Sequence, residues 1–141
     1  MRLIDVKTYR FREFYDQVPS YAILSHTWTD EELTCQEWRS KDVRAELKHT
    51  AGYKKIVSCC KQAEIDGLRY VWVDTCSIDK SSSAELSEAI NSMYRWYSES
   101  EICYAYLSDV SFHEYEPKDM TDSHIFEFAR SRWFTRGYVK S

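Results

Sequence analysis

The stretch from Tyr70 to Ile90, YVWVDTCSIDKSSSAELSEAI, constrains the fold more than any other part of the 141-residue chain. Tyr70 to Val73 is a short β-branched and aromatic run, the composition of a strand covered on both faces. Asp74 and Asp79 bracket its carboxyl end, where open α/β sheets place their ligand sites. Ser82 and Glu85 have capping-box spacing: the Ser oxygen accepts from a free helix-start N–H, and the Glu reaches back to the cap residue's own N–H. Leu86, Ile90, Met93 and Tyr97 then fall on one helical face. Strand, acidic turn and capped helix in succession predict an α/β unit.

Two further strand-length runs flank it. Tyr21-Ala22-Ile23-Leu24-Ser25-His26-Thr27-Trp28 reads as a central strand whose carboxyl end presents Ser25, His26 and Trp28. Residues 102–107 read as a third strand, with Ser108 and Asp109 at its end. Between them, Ser40 caps a short helix carrying Val43 and Leu47. Gly52 breaks that pattern, and a clearer helix runs from Tyr53 to Asp66. Ile56, Cys59, Cys60 and Ala63 form its buried stripe, and Gly67 sits where a left-handed cap belongs. The connections are long enough for right-handed parallel crossovers. They predict a flavodoxin-like three-layer α/β sandwich with a mainly parallel central sheet. Met1 to Val6 is expected as a short edge strand, Arg10 to Gln17 as a loop, and Ile125 to Phe134 as a helix.

Length and composition bound the rest. The chain is long enough for one domain with a real core and too short for two ordinary ones, so residues 1–141 are read as a single domain. The net charge is −4 and no basic stripe dominates, which argues against a general nucleic-acid binder. Five cysteines and no apolar leader segment in the first ten residues point to reduced thiols in a cytosolic or nuclear compartment, here taken as cytoplasmic. The apolar runs fall far short of the roughly 20 residues a membrane span needs.

Several residues are candidates for chemistry. Cys59 and Cys60 are adjacent on a helix with no CxxC pair or histidine at ligand spacing, so packing rather than metal is expected. Ser25 and His26 are neighbours on a strand and point to opposite faces, which argues against a direct dyad, and no GxSxG elbow is present. Asp74, Asp79 and Asp109 converge on one sheet edge in the expected fold, as binding carboxylates or as helix caps; for Asp79 capping is preferred. Glu85 and Glu88 lie in the first turns of a helix, where a carboxylate also favours the positive helix end. Arg130, Arg132 and Arg136 beside Trp133 and Phe134 suit an anionic ligand or a solvated face. No Walker loop or GxGxxG is present, so ordinary phosphate cradles are absent and a mononucleotide or flavin binder is the weakest reading.

Five blocks in order carry a resemblance: residues 21–28, Gly52-Tyr53-Lys54-Lys55-Ile56, residues 70–90, Cys103-Tyr104-Ala105-Tyr106-Leu107-Ser108-Asp109-Val110, and Ser131-Arg132-Trp133-Phe134-Thr135-Arg136-Gly137. Together they resemble the fungal heterokaryon-incompatibility (HET) domain. Thr29 stands where the family has glycine, and Cys76-Ser77 where it has two cysteines. The resemblance implies a role in non-self recognition and programmed cell death, with protein partners that include further copies of the domain or NLR-like receptors. It also implies a fold like the Toll/interleukin-receptor (TIR) domain. Such domains signal by self-assembly or cleave NAD with a helix glutamate. The family continues past its Arg-Gly block into a Gln-Glu-Leu helix, whose Glu is the best analogue of the catalytic acid. Here Tyr138-Val139-Lys140-Ser141 follow instead, so a C-terminally truncated domain is expected. Among residues present, Glu88 and Glu85 are then the catalytic candidates. Ser25, His26, Trp28, Asp74, Asp79, Asp109 and Arg132 are the ligand-binding ones, with no resident cofactor and NAD as a possible substrate.

Overall fold

The computed structural model describes residues 1–109 and Trp133. The helix expected over 125–134 and the arginine group containing Arg132 lie outside the described residues. The chain divides into two compact units, Met1–Ser25 with Thr29–Tyr104, and a second whose described part is His26–Trp28, Ala105–Asp109 and Trp133.

The elements run β1 (Arg2–Asp5), β2 (Phe11–Glu13), β3 (Tyr21–His26), α1 (Cys35–Arg39), α2 (Lys41–Glu46), α3 (Ala51–Ile65), β4 (Tyr70–Trp72), α4 (Asp74–Ser77), α5 (Ser83–Glu99) and β5 (Ile102–Tyr106). The five strands form one sheet in the order β2-β1-β4-β3-β5, flanked by helices. All six residues of β3 are buried; the apolar run from Tyr21 to Leu24 is that of a strand covered on both faces, and the polar Ser25 and His26 are buried with it.

The sheet is mixed, which corrects the expectation of a mainly parallel one. β3 and β4 pair in parallel, with Ala22 opposite Val71. β1 pairs antiparallel with both β2 and β4. The physical reason lies in the connections. α1, α2 and α3 fill the β3–β4 link and permit a parallel return, whereas a tight turn joins β1 to β2 and forces them antiparallel. β1 is also not an edge strand, because residues 11–13 form β2 outside it rather than a loop. Its docking onto β4 is fixed at one end by Asp5 and Arg69. Arg69 Nη2 lies 2.7 Å from Asp5 Oδ2, and Val6 N–H donates to Arg69 O at 2.9 Å.

Helix boundaries follow their caps. Thr50 accepts from Tyr53 N–H at 3.3 Å and starts α3 two residues earlier than the sequence suggests, with Gly52 inside the helix. Gly52 is buried because the backbone of Glu31 and Glu32 crosses it. A Cβ there would lie 2.2 Å from Glu31 O. Gly67 takes φ +80° and ends the α3 segment as the left-handed cap. α1 has a complete capping box that the sequence reading passed over: Thr34 accepts from Glu37 N–H, and the Glu37 side chain accepts from Thr34 N–H.

Leu3, Tyr21, Ile23 and Trp72 from the sheet join Ile78, Ala89 and Trp96 in one core cluster. Trp72 and Trp96 meet edge to face at 5.5 Å, and Tyr21 Oη donates to Trp96 O at 2.5 Å. Leu86, Met93 and Tyr97 pack against this cluster. Ile90 does not: it is 65% exposed, so the buried stripe of α5 runs through Ala89 and Trp96 instead.

Candidate functional site

The carboxyl end of β4 is built by short-range hydrogen bonds. Val73 N–H donates to Ser77 Oγ at 3.1 Å and Ser77 N–H donates to Val73 O at 2.7 Å, closing the single turn of α4. Asp79 Oδ1 accepts from Ser81 N–H, Ser81 Oγ and Gln36 Nε2 at 3.1, 2.5 and 2.7 Å. Those bonds, led by Ser81, hold its carboxyl below the usual range. Asp79 does not cap α5, whose N-cap is Ser82; its carboxylate instead shapes the turn that leads into that helix.

Half of the expected capping box is present. Ser82 Oγ accepts from Glu85 N–H at 3.3 Å. Glu85, however, reaches past Ser82 and accepts from Asp79 N–H at 2.9 Å. It also forms an ion pair with Arg2. Arg2 binds Glu13 at 2.9 Å and donates to Ser77 O at 3.1 Å. Burial works against the Arg2 charge, but its bonds to Glu85 and Glu13 outweigh it and keep the guanidinium firmly protonated. On Glu13, the Tyr15 hydroxyl at 2.6 Å leads a downward shift that Arg2 reinforces.

These groups border a cleft of about 350 Å3. Arg2, Ser77 and Glu85 form its polar wall, Trp72 and Trp96 its apolar wall, and Glu88 stands on the α5 side. Register places it at the carboxyl end of β4: Ile4 faces Val71 in an antiparallel pair, which carries Arg2 toward Val73. The ligand-site rule for open sheets points to the same end of this strand. Arg2, Glu13 and the two tryptophans were not recognised from sequence. The available signal was Arg2 and Glu13 in neighbouring runs, which cross-strand pairing joins.

The other candidates are placed differently, and none of Ser25, His26, Trp28, Asp74, Asp79 or Asp109 lines this cleft. Ser25 and Asp74 are each 5% exposed and His26 is 2% exposed. Asp109 is exposed and Trp28 is 60% exposed. His26, Trp28 and Asp109 belong to the second unit. Arg132 lies outside the described residues.

Cys59 and Cys60 are buried in the stripe of α3. Burial pushes the Cys59 thiol up to about 12 and raises those of Cys60, Cys76 and Cys35 as well. Thiols held protonated in this way are poor nucleophiles.

Against this geometry, comparison with known proteins is informative. A family described as "Heterokaryon incompatibility protein (HET)" matches residues 21–127, a span that includes β3, β4, α5 and β5. The chain belongs to the HET family. It is 49% identical over 123 residues to the vegetative incompatibility protein HET-E-1 of Podospora anserina. That match takes in 87% of this chain and 9% of the relative, so the HET chain corresponds to a small part of a far longer protein. No solved structure matches. Among the described residues no helix is long and apolar enough to cross a membrane.

Proposed function

We propose that this HET chain serves fungal non-self recognition and programmed cell death as an effector or signalling module in the cytoplasm, working through protein–protein contacts. The observation that carries this reading is the outer face of α5. Ile90 and Tyr94, one helical turn apart, are 65% and 87% exposed. Apolar residues at i, i+4 spacing form a contiguous strip, and exposed apolar strips favour partners. The partner in this reading is a second copy of the domain or an NLR-like receptor. The run β4-β3-β5 supports a flavodoxin-like, TIR-like core, with β1 and β2 as an added antiparallel margin. The test is Ile90→Ser/Tyr94→Ser in a fungal host, with cell viability and sedimentation of the purified chain as readouts. Loss of association and of the death phenotype, with an unchanged melting temperature, is expected. Association and killing that survive the substitution reject the reading.

A second reading rests on Glu88. This exposed carboxylate lines the cleft beside Arg2, Trp72 and Trp96, and among the described residues it makes no hydrogen bond or ion pair. Glu85, in contrast, is held by Arg2 and Asp79 N–H. In a TIR-like NAD hydrolase, a carboxylate must face the positive charge that develops on the ribose, and Glu88 is the better placed of the two. Glu88→Gln with cellular NAD as the readout separates the readings. Preserved NAD with retained folding favours the enzyme, and unchanged NAD loss removes Glu88 from it.

A further inference from the structure

A second cleft, of about 670 Å3, opens among the β1–β2 turn, α1 and α2. Arg10, Arg39, Lys41 and Arg44 line it, together with Phe11 and Glu13. Four cations thus meet one carboxylate, in a chain whose net charge is −4. Glu13 is already engaged by Arg2 at 2.9 Å and by the Tyr15 hydroxyl, which reduces its opposition to an anion. Arg10, Arg39 and Lys41 are exposed. Arg10 and Lys41 make no side-chain hydrogen bond among the described residues, and Arg39 only a long contact of 3.7 Å to Cys35 Sγ.

The floor of the cleft is rigid. Arg44 Nη1 donates to Tyr9 O at 2.8 Å and to Trp38 O at 3.2 Å. Its guanidinium lies 5.1 Å above the buried Trp38 ring. The Trp38 indole N–H donates to the same Tyr9 carbonyl at 2.9 Å. Tyr9 adopts φ 59°, a conformation that costs a residue with a side chain of this size. The strained turn aims one carbonyl at two donors and so fixes Arg44 before any ligand arrives. Held, among the described residues, by only one of its terminal nitrogens, Arg44 keeps further N–H groups for an acceptor. Guanidinium groups suit phosphate oxygens through paired N–H bonds, and a lysine adds a mobile point charge.

We propose that this cleft binds a soluble small molecule carrying two or more adjacent phosphate groups. Its volume lies in the range of small-ligand sites. Its converging cations match a compact polyanion better than an extended acidic peptide, since Phe11 is the only partly accessible apolar residue lining it among the described residues. This site is independent of the cleft at the end of β4, apart from their shared contact with Glu13.

Calorimetric titration of the purified 141-residue chain with tripolyphosphate at low ionic strength tests the proposal. Saturable binding that weakens as salt rises is expected. Arg39→Ser/Lys41→Ser should raise Kd at least tenfold without changing the melting temperature. Lys54→Ser/Lys61→Ser, which removes two exposed charges from α3, should leave Kd within twofold. Absence of binding, or equal loss in both variants, overturns the site. Orthophosphate binding as tight as tripolyphosphate overturns the polyphosphate class. Tighter binding of phosphatidylserine vesicles or polyglutamate through Arg39 and Lys41 overturns the small-molecule occupant.

Discussion

The two clefts share Glu13 but are held together by different physics. At the end of β4, acidic groups from β2 and α5 gather around one cation, Arg2, so ion pairs shape the wall. Beside α1 and α2 the balance is reversed, and an aromatic ring with a strained carbonyl shapes the floor. A site fixed by ion pairs responds to charge removal. A site fixed by packing responds to volume removal. The difference explains why one cleft has its charges largely neutralised from within, while the other keeps exposed cations for an external anion.

The largest expected effect comes from Trp38→Ala. Trp38 is fully buried, and loss of a buried tryptophan costs about 3–5 kcal/mol. Chemical denaturation should show this loss, and the basic cleft should lose its hold on Arg44 in the same variant. A cost below about 1 kcal/mol would break the contrast between a packed floor and an ion-paired wall.

Arg2→Ala should cost less, about 1–2 kcal/mol, because it removes hydrogen bonds to Glu85, Glu13 and Ser77 O but leaves both carboxylates access to water. The same variant should raise the apparent pKa of Glu13, which NMR titration reads directly.

Asp5 sharpens the comparison through pH. Its bond to Arg69, with help from Lys7 and Thr8 N–H at 2.9 and 3.3 Å, depresses its pKa in the folded state. A depressed carboxylate stabilises the fold above its unfolded pKa, near 3.9, and loses that contribution as pH falls through the lower folded value. Arg69 is half exposed, so solvent screening limits the contribution to under about 1 kcal/mol. Melting curves between pH 2 and about 5 should therefore be flatter for Asp5→Asn than for the native chain. Parallel curves would detach Asp5 from the β1–β4 seam that carries Arg2 to its cleft.

Glu88→Gln should have the smallest effect on stability, within about 0.5 kcal/mol, as expected for an exposed side chain without partners among the described residues. A larger loss would mean that Glu88 is structural, which would weaken its reading as a group reserved for a ligand.

Much of the fold was legible where bonding is local. Ser40 and Ser82 cap α2 and α5 as their sequence positions indicate, and Gly67 takes the left-handed conformation its place after a helix predicts. β3 and β4 were readable from the apolar runs at Tyr21 to Leu24 and Tyr70 to Val73. β2 was missed because Phe11-Arg12-Glu13 has only one apolar residue and gains its strand form by pairing with β1. Ile90 was misplaced because a helix can lie on the sheet through either of two overlapping apolar stripes. The edge-to-face meeting of Trp72 and Trp96 favours the stripe that includes Ala89.

By itself, then, the sequence determined the local elements, the strand–turn–capped-helix unit and the HET family, because each depends on residues within a turn or two or on order along the chain. Only the tertiary structure decided the clefts. Arg2 meets Glu85 across 83 residues, Tyr9 meets Trp38 and Arg44 across 29 and 35, and Gly52 lies against a loop that crosses it. No spacing rule links such partners. They are joined by strand register and helix packing, which bring side chains together only after the backbone has closed around its core.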